Sequence, residues 1–365
     1  MIKVIYIINV AGQAGTEMYI ESLVESLNNK KIKAYLVYNG EGLLIDKLKA
    51  LGVEAFRIKM RHPFDFIAVF KLRKLCVKLG IQIIHTHFLR ENYIALLSRI
   101  FNLKTKVIYT NHFVIPNNFL VRVFNKILTL FQAKIIAVCN SGKDMMIRNG
   151  IDKRKIKVIF NGVDISYWNE PVKSTMREEF DISDEEFVIL STSRFHYLKA
   201  PDFLIDCIAH LKKIAQRKFK FVLTNEGPIF EESRRKAEQM GLMDVVVFTG
   251  FRKDIKNFVY GSDLFVNSSM NEALSFAIIE VLACGLPVIA TNVGGTRDII
   301  SSQANCGALV KFGDVEGFAT AINRYMEDKN LQELWKKNAV INAKEKFSIE
   351  KMISKTYNLY METIK

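Results

Sequence analysis

A short segment in the second half of the chain carries two carboxylates on an otherwise apolar stretch. Ser275–Cys284 is predicted to form a helix that ends at Gly285, and Glu280 is its only charged residue. A helix that is apolar on all sides is buried, and a buried carboxylate needs a partner, either a protein group or a ligand hydroxyl. Glu272 comes just before the helix, where free backbone N–H groups and the helix dipole favour an anionic ligand. An ordinary capping carboxylate with one buried salt bridge is the alternative.

Histidines lie on or just after two of the predicted strands. His85 and His87 share one face of a strand at a spacing of two residues, and His112 follows the end of another strand. Two imidazoles can bind a metal ion, but no third ligand is nearby in sequence, so we expect no metal site. The chain also has no Asp-x-Asp pair to hold a cation on a diphosphate. From the residues alone, both a structural and a catalytic role remain open for His112.

The elements that must position these residues form a repeating pattern of short apolar runs and amphipathic stretches, which predicts parallel sheets covered by helices on both faces. The first set of predicted strands is Lys3–Val10, Ala34–Tyr38, Ile83–His87, Val107–Thr110, Lys134–Val138 and Lys157–Ile159. The second set is Phe187–Ser193, Lys220–Thr224, Val245–Thr249, Leu264–Asn267, Leu286–Ala290 and Gly307–Val310. The polar segment Asp164–Ile182 is the predicted linker. This α/β pattern predicts two doubly wound Rossmann-like domains that face each other across a ligand-binding cleft.

Charge is distributed unevenly over the 365 residues. Residues 1–164 carry 26 basic and 11 acidic side chains, a net of +15, whereas the whole chain has a net charge of +14. A basic first half indicates an anionic partner: nucleic acid, an acidic lipid surface or a phosphorylated substrate. Phe66–Lys78 and Phe119–Phe131 are basic and amphipathic, and such helices can lie on an anionic membrane. Alternatively, their apolar sides face the sheet and their cations are solvated.

The composition excludes several other classes of protein. A hydrophobic content of 49% with 6 prolines and 19 glycines excludes a disordered or collagen-like protein. Five scattered cysteines without a paired motif are typical of a reduced, intracellular chain. The apolar start is predicted to be a strand rather than a signal peptide, and no apolar run is long enough to span a membrane.

The motifs together resemble glycosyltransferase family 4, whose members are retaining enzymes with the GT-B fold. Glu272 and Glu280 have the spacing of the family's Glu-x7-Glu pattern, and Ala283–Thr291 and Val293–Gly295 match its flanking sequence. Further motifs follow in the family's order: Gly15–Glu17, His85–His87, Thr110–His112, Asn161–Asp164, Ser193-Arg194 with Lys199, Phe248–Gly250, and Gly307–Val310 with Gly313-Asp314. The resemblance covers nearly the whole chain.

This resemblance implies roles for individual residues. Arg194 and Lys199 would grip the diphosphate of a nucleotide-sugar, and Glu272 would hold the hydroxyls of the transferred sugar. Glu280 would hold the ribose hydroxyls, and His112 would sit beside the sugar. The implied catalytic residues are Glu272, His112, Arg194 and Lys199. The implied donor-binding residues are Gly15, Arg194, Lys199, Gly250, Phe251, Glu272, Leu274, Ser275, Phe276 and Glu280. We expect neither a metal nor a cofactor beyond the nucleotide-sugar itself.

Three departures from the family pattern concern the donor loops. The usual Lys-Gly is Lys199-Ala200, and Ala200 is expected to restrict this loop slightly. The usual Gly-x-Gly-Pro begins with Asn225, which tolerates left-handed backbone angles and can partly replace glycine. The usual Glu-Ala is Glu280-Val281. These changes bear on the identity of the donor more than on activity.

The resemblance implies a metal-independent, retaining hexosyltransferase. Residues 1–170, with helix 349–365 crossing back to them, would bind the acceptor, and residues 171–348 would bind the donor. The enzyme would move a hexose or N-acetylhexosamine from a nucleotide-sugar to a cell-envelope glycan, polysaccharide or lipid-linked acceptor. A UDP-sugar is the expected donor, because UDP-sugars are the commonest donors in such families. No side chain in the motifs is typical of a nucleophile, so we expect a front-face route. The expected location is cytoplasmic, at the inner face of the cell membrane if the basic helices bind lipid.

Two other functions are the alternatives. A nucleotide-sugar epimerase shares this architecture, and product analysis without an acceptor separates it from a transferase. A nucleic-acid-binding module predicts a recognised module or interleaved aromatic and basic residues, and the sequence has neither. We therefore expect no nucleic-acid partner.

Overall fold

The computed structural model describes residues 1–11, 15–100 and 104–365. The strands in chain order are β1 Ile2–Val10, β2 Ile32–Gly40, β3 Glu54–Arg57, β4 Ile83–Thr86, β5 Lys106–Asn111, β6 Lys134–Ala137, β7 Ile156–Val158, β8 Phe187–Ser191, β9 Phe219–Thr224, β10 Val246–Gly250, β11 Leu264–Asn267, β12 Val288–Thr291 and β13 Gly307–Val310. The helices are α1 Gly15–Leu27, α2 Leu43–Ala50, α3 Phe66–Leu79, α4 Leu89–Ile100, α5 Phe119–Leu128, α6 Asn140–Arg148, α7 Ile165–Asn169, α8 Met176–Glu179, α9 Pro201–Ile214, α10 Phe230–Gln239, α11 Ile255–Tyr260, α12 Phe276–Ala283, α13 Thr296–Ile299, α14 Val315–Glu327, α15 Lys329–Lys346 and α16 Ile349–Ile364.

The described residues divide into two compact units. Unit 1 contains residues 1–161 and 349–365, and unit 2 contains residues 162–348. Each unit is built on one parallel sheet, with the order β3-β2-β1-β4-β5-β6-β7 in unit 1 and β10-β9-β8-β11-β12-β13 in unit 2. The strand order reverses direction beside β1 in one sheet and beside β8 in the other, as in doubly wound folds. The predicted fold of each half is confirmed.

Unit 1 has one strand that the sequence pattern does not predict. Strand β3 pairs only with β2, at the edge of the sheet. Its Glu54 and Arg57 are exposed, and Ala55 and Phe56 are half-buried. A short edge strand has no continuous apolar run, because it is not covered on both faces.

The expected linker is part of unit 2. The segment contains the short helices α7 and α8, and α7 packs on α12 and α15. Met176 is fully buried, and the Arg177 guanidinium donates to the Asp263 carboxylate at 2.8 Å. The boundary between the units therefore falls after Asn161 and not after residue 170, because α7, which ends before residue 170, packs on helices of unit 2.

Helix α16 belongs to unit 1, although it follows unit 2 in the chain. Its Met352, Leu359 and Tyr360 are buried in the same apolar cluster as Tyr6 and Tyr19. Burial of apolar surface is the main force that holds the helix against β1 and α1. In the described parts of the chain, no helix combines the length and the apolar character needed to cross a membrane.

Candidate functional site

Helix α12 forms as the sequence pattern predicts, with its first turn capped by Ser275. The Ser275 hydroxyl accepts a hydrogen bond from the Ile278 N–H at 3.4 Å, and the helix ends before Gly285, which has a left-handed φ of 82°. The backbone N–H groups of Leu274, Ser275 and Phe276 donate to no described residue. Three free donors at the positive end of the helix dipole suit an anionic group such as a phosphate.

Glu280 lies on α12 without a protein partner. Its carboxylate is half-buried, and it forms no hydrogen bond or ion pair with the described residues. Loss of water around the carboxylate raises its pKa to about 7. The sequence leaves open whether a protein group or a ligand satisfies Glu280. Within the described chain no protein group does so, which leaves its oxygens available to a ligand hydroxyl.

Glu272 and Lys199 are brought together from two different loops of unit 2. Glu272 follows β11, its side chain is 10% exposed, and its Oε1 forms an ion pair with the Lys199 Nζ. The Ser269 hydroxyl donates to the same Glu272 oxygen at 2.9 Å. The family motifs place these two residues on different parts of a ligand and do not predict the pair. A carboxylate held in this way has a fixed orientation, which is a requirement for binding sugar hydroxyls selectively.

Gly294, part of the motif Val293–Gly295, packs directly against the backbone of Glu272. Gly294 has a φ of 48°, and a Cβ atom added there would come within 1.7 Å of the Glu272 carbonyl oxygen. The next residue, Gly295, donates its N–H to that same carbonyl at 3.1 Å. Only glycine fits this close approach, so Gly294 is a positioning residue for Glu272.

Arg194 lies on an open cavity of about 630 Å³ at the carboxyl ends of β8 and β9. Its exposed guanidinium has no ion pair or hydrogen bond with the described residues. Asn225 and Gly227 also line the cavity, and the Phe195 N–H donates to the Glu226 carbonyl at 3.1 Å, which ties the two loops together. A free cation beside a cavity of this size can hold one phosphate of a nucleotide-sized ligand. Glu226, Phe230 and Glu231 also line the cavity, although the sequence indicates no site role for them.

The departures from the family motifs have structural consequences. Asn225 has a φ of 92°, so it does occupy the left-handed region in place of glycine. Its N–H donates to the Gly250 carbonyl at 2.7 Å, which connects the predicted Gly250 to the cavity. Phe251, the next predicted residue, is 59% exposed. Ala200 has a φ of 48°, a left-handed conformation that costs an alanine about 1–2 kcal/mol and that glycine would adopt without this cost.

In unit 1, the predicted His112 lies in a cluster of buried aromatic side chains. Its Nε2 is 3.2 Å from the His87 Nδ1, and its ring packs edge-on against Tyr19. His85 is bonded through both ring nitrogens, at 2.6 Å to the Tyr360 hydroxyl and at 2.7 Å to the Thr110 hydroxyl. The pairing of these rings follows from β4 and β5 being neighbours, because the carboxyl ends of adjacent parallel strands meet.

Burial keeps these imidazoles neutral. Removal from water lowers the pKa of His85 and of His112 to about 3, and it lowers the pKa of His87 well below the ordinary value. The His87 Nε2 is buried and has no hydrogen-bond partner among the described residues. His112 is half-buried and is therefore the ring of the cluster that a ligand can reach. A neutral imidazole can both donate and accept hydrogen bonds to hydroxyl groups.

The remaining predicted site residue is Gly15, the first residue of α1, which is half-buried. Residues 12–14, which precede it, lie outside the described residues. Unit 1 also contains a cavity, of about 240 Å³, whose lining includes Tyr109, Asn111 and Phe113 around the carboxyl end of β5. Among the described side chains, no group of three or more His, Cys, Asp or Glu residues is placed to hold a metal ion.

Two family models match the chain in succession. Residues 14–167 match the model described as Glycosyltransferase Family 4, and residues 172–340 match the model described as Glycosyl transferases group 1. The two parallel-sheet units and these matches thus define a glycosyltransferase. The chain belongs to glycosyltransferase family 4, group 1.

Named relatives align over most of their length. The chain is 26% identical to the UDP-Gal:alpha-D-GlcNAc-diphosphoundecaprenol alpha-1,3-galactosyltransferase of Escherichia coli, over 93% of this chain and 92% of that protein. It is 27% identical to the N-acetylgalactosamine-N,N'-diacetylbacillosaminyl-diphospho-undecaprenol 4-alpha-N-acetylgalactosaminyltransferase of Campylobacter jejuni, over 76% of each.

Solved structures share the fold over the whole chain. A glycosyltransferase from Rickettsia africae matches with a TM-score of 0.89 at 22% identity, covering 100% of this chain and 99% of that one. The Anabaena protein HepE in complex with UDP matches with a TM-score of 0.88 at 19% identity, covering 99% and 100%. The two parallel-sheet units are those of GT-B glycosyltransferases.

Proposed function

We propose that the protein is a retaining, metal-independent hexosyltransferase that uses a UDP-sugar and a lipid-linked or glycan acceptor of the cell envelope. The observation that carries this proposal is the arrangement in unit 2 of the Lys199–Glu272 ion pair, the unpaired Arg194 and the free N–H groups that begin α12. Two cations and three N–H donors suit a diphosphate, and a fixed carboxylate suits sugar hydroxyls. The E. coli relative's name includes a UDP-sugar and a diphosphoundecaprenol acceptor, which supports the same classes here.

Each proposed role follows from the chemistry of the residue. Arg194 and Lys199 neutralise the charge that develops on the departing diphosphate, and each such contact contributes about 2.7–4 kcal/mol to the transition state. Glu280 accepts hydrogen bonds from the ribose hydroxyls, and Gly250 with Phe251 lies beside the nucleotide. In unit 1, Gly15 lets the backbone approach the phosphates, and neutral His112 binds a hydroxyl of the transferred sugar.

The proposed reaction runs on one face of the sugar. The bond between the anomeric carbon and the β-phosphate oxygen breaks, and the acceptor hydroxyl bonds to that carbon from the same side. The acceptor proton moves to the departing phosphate oxygen, so UDP leaves as the group that also served as the base. Stabilisation of this charged leaving group is the main contribution of the protein.

The proposal is tested with the donor alone before any acceptor is known. UDP-, GDP- and ADP-sugars are screened for binding by thermal shift and for slow hydrolysis, with and without EDTA. We expect UDP-sugars to bind and to be hydrolysed slowly, at a rate that EDTA does not change. The sugar released first should have the same anomeric configuration as it had in the donor. A product of inverted configuration would refute retention, and loss of hydrolysis in EDTA would refute metal independence. Interconversion of the sugar without release of UDP would refute a transferase.

Site variants assign the activity to the proposed residues. Arg194→Ala is expected to lower kcat/KM about 100-fold or more, because one cation on the diphosphate is lost. Arg235→Ala on α10, where the side chain is also exposed, is the matched control and is expected to retain activity. If Arg194→Ala keeps its turnover within a few-fold, the donor-site assignment is wrong.

A further inference from the structure

Helix α5 turns its apolar face away from the first sheet. Within the helix only Asn125 and Leu128 are buried. The exposed apolar side chains recur three to four residues apart and so share one side of the helix: Phe119, Leu120, Val123, Phe124 and Ile127. Phe119 is 76% exposed and Leu120 is 66% exposed. The alternative in which the apolar side of this helix packs on the sheet is therefore excluded.

This face continues onto the start of α3. The Phe124 ring contacts the Phe64 ring with their centroids 5.2 Å apart, which places the segment before α3 against α5. Phe66 and Ile67, in the first turn of α3, are both exposed, as is Leu130 beyond the end of α5. We call the following exposed apolar side chains the apolar surface of unit 1: Phe66, Ile67, Phe119, Leu120, Val123, Phe124, Ile127 and Leu130. A cluster of large exposed apolar side chains on neighbouring segments is typical of a site of interaction.

Unpaired cations flank the apolar surface. Lys71 and Lys74 of α3 and Arg122 and Lys126 of α5 are exposed, and none forms an ion pair with a described carboxylate. Residues 66–143 contain a single acidic residue, Glu91, and it is buried. Asp65, directly before Phe66, is buried and accepts hydrogen bonds from the Arg61 and Ala68 N–H groups, so the exposed charges on these two helices are positive.

We propose that the apolar surface docks on an anionic lipid bilayer, with its aromatic and aliphatic side chains inserted at the headgroup level and its cations on the phosphates. Apolar burial and attraction of cations to anionic lipid are the two contributions that bind interfacial helices. A second copy of the chain fits less well, because a two-fold contact would bring the same cations face to face. The proposal rests on this surface and not on the proposed transfer reaction.

Vesicle binding of the full chain tests the proposal. The probe is flotation with vesicles of phosphatidylcholine, with and without phosphatidylglycerol, at low and high salt. We expect binding that is about tenfold stronger with phosphatidylglycerol and that weakens as salt screens the charges. Equal and negligible binding to both kinds of vesicle would overturn the proposal.

Two double variants separate the apolar and the charged contributions. Phe119→Ser with Leu120→Ser, and Arg122→Glu with Lys126→Glu, are each expected to lower binding about tenfold. All four side chains are exposed, so folding is expected to persist and is checked by thermal unfolding. Leu334→Ser with Ile341→Ser, on exposed positions of α15, and Lys336→Glu with Lys337→Glu beside them are the matched controls. Equal losses in control and test variants would refute the assignment to this surface.

A fluorescent probe shows whether this face enters the lipid. Both native tryptophans, Trp168 and Trp335, lie in unit 2. Phe119→Trp is expected to shift its emission to the blue on anionic vesicles and to be quenched by brominated lipid, whereas Leu334→Trp is not. Self-association that Phe119→Ser with Leu120→Ser abolishes, without vesicle binding by the native chain, would assign the face to a second copy. Donor hydrolysis needs no vesicle. A protein that hydrolyses the donor but does not bind vesicles would therefore refute the membrane proposal alone and leave the proposed transferase function intact.

Discussion

Lys199 and Glu272 form an ion pair inside unit 2 although 73 positions separate them in sequence. One residue follows β8 and the other follows β11, which are neighbours in the sheet. Under the proposed roles, the diphosphate of the donor binds to Lys199 and its sugar binds to Glu272. The pair thus holds both groups in place before a donor binds, which is a form of preorganisation.

Replacing the carboxylate tests this relationship. Glu272→Gln is expected to lower kcat/KM about 100- to 1,000-fold while the affinity for UDP changes less than tenfold, because the carboxylate contacts the sugar. Steady-state kinetics and calorimetry with UDP measure the two quantities. Glu238→Gln, which removes a surface partner of Arg234, is the matched control and should leave both unchanged. An equal loss of UDP affinity and turnover would show that Glu272 does not act on the sugar.

Close packing of Gly294 on Glu272 gives a second prediction. Gly294→Ala is expected to lower turnover about 100-fold, because the new Cβ must push the Glu272 backbone out of place. Gly241→Ala is the control: it has a φ of 66°, so it carries similar backbone strain, but an added Cβ meets nothing within 4 Å. Both variants are expected to lose about 1 kcal/mol or more of stability, measured by urea unfolding. Equal activity in the two variants would exclude a positioning role for Gly294.

Donor binding is predicted to depend on pH through Glu280. Burial raises the pKa of this carboxyl to about 7, so protonation begins within the physiological range. The ionised form accepts hydrogen bonds from two ribose hydroxyls, and the affinity for UDP-glucose should fall by up to about tenfold as the pH drops from about 7 to about 6. Calorimetry at several pH values measures this change. Glu280→Gln should bind more weakly at high pH and show no such slope; the same slope in both proteins would contradict the prediction.

Acid is predicted to destabilise unit 1 through its buried histidines. Burial lowers the pKa of His85 to about 3 in the folded protein, whereas it is about 6.5 in an unfolded chain. Between these values the unfolded state binds more protons, so the stability is fully present above about pH 6.5 and is lost as the pH falls towards 3. For one such ring, the free energy of unfolding falls by about 1.4 kcal/mol per pH unit in this range.

Two measurements check the histidine prediction. Urea unfolding at about pH 7.5 and about pH 5.5 gives the loss of stability. Carbon NMR of the histidine rings, with His85→Gln to assign the signal, shows whether the ring titrates in the folded protein. A His85 signal that titrates above about pH 6 in the folded chain would contradict the buried, neutral ring.

The sequence pattern predicts the two sheets well because buried parallel strands are continuous apolar runs. Strand β3 escapes the pattern, since Glu54 and Arg57 of this edge strand face solvent. The segment after Asp164 has no periodicity because α7 is a short helix of five residues, yet Met176 and Arg177 attach the segment to unit 2. Such contacts depend on tertiary structure and leave no local signal.

Parts of the candidate sites were equally beyond sequence reasoning. The resemblance supplied Glu272, Lys199 and His112 but not their partners. The Lys199–Glu272 pair depends on which strands are neighbours, and so does the contact between His87 and His112. Knowledge of the strand order would have predicted both, because β8 lies beside β11 and β4 beside β5.

Helix α16 follows unit 2 in the chain, yet it completes the core of unit 1. The hydroxyl of Tyr360 bonds to His85 and lies 3.3 Å from the hydroxyl of Tyr6, so the helix covers polar groups in the centre of the first sheet. During synthesis, residues 162–348 leave the ribosome before α16 does. The buried core of unit 1 is therefore complete only after all of unit 2 has been synthesised.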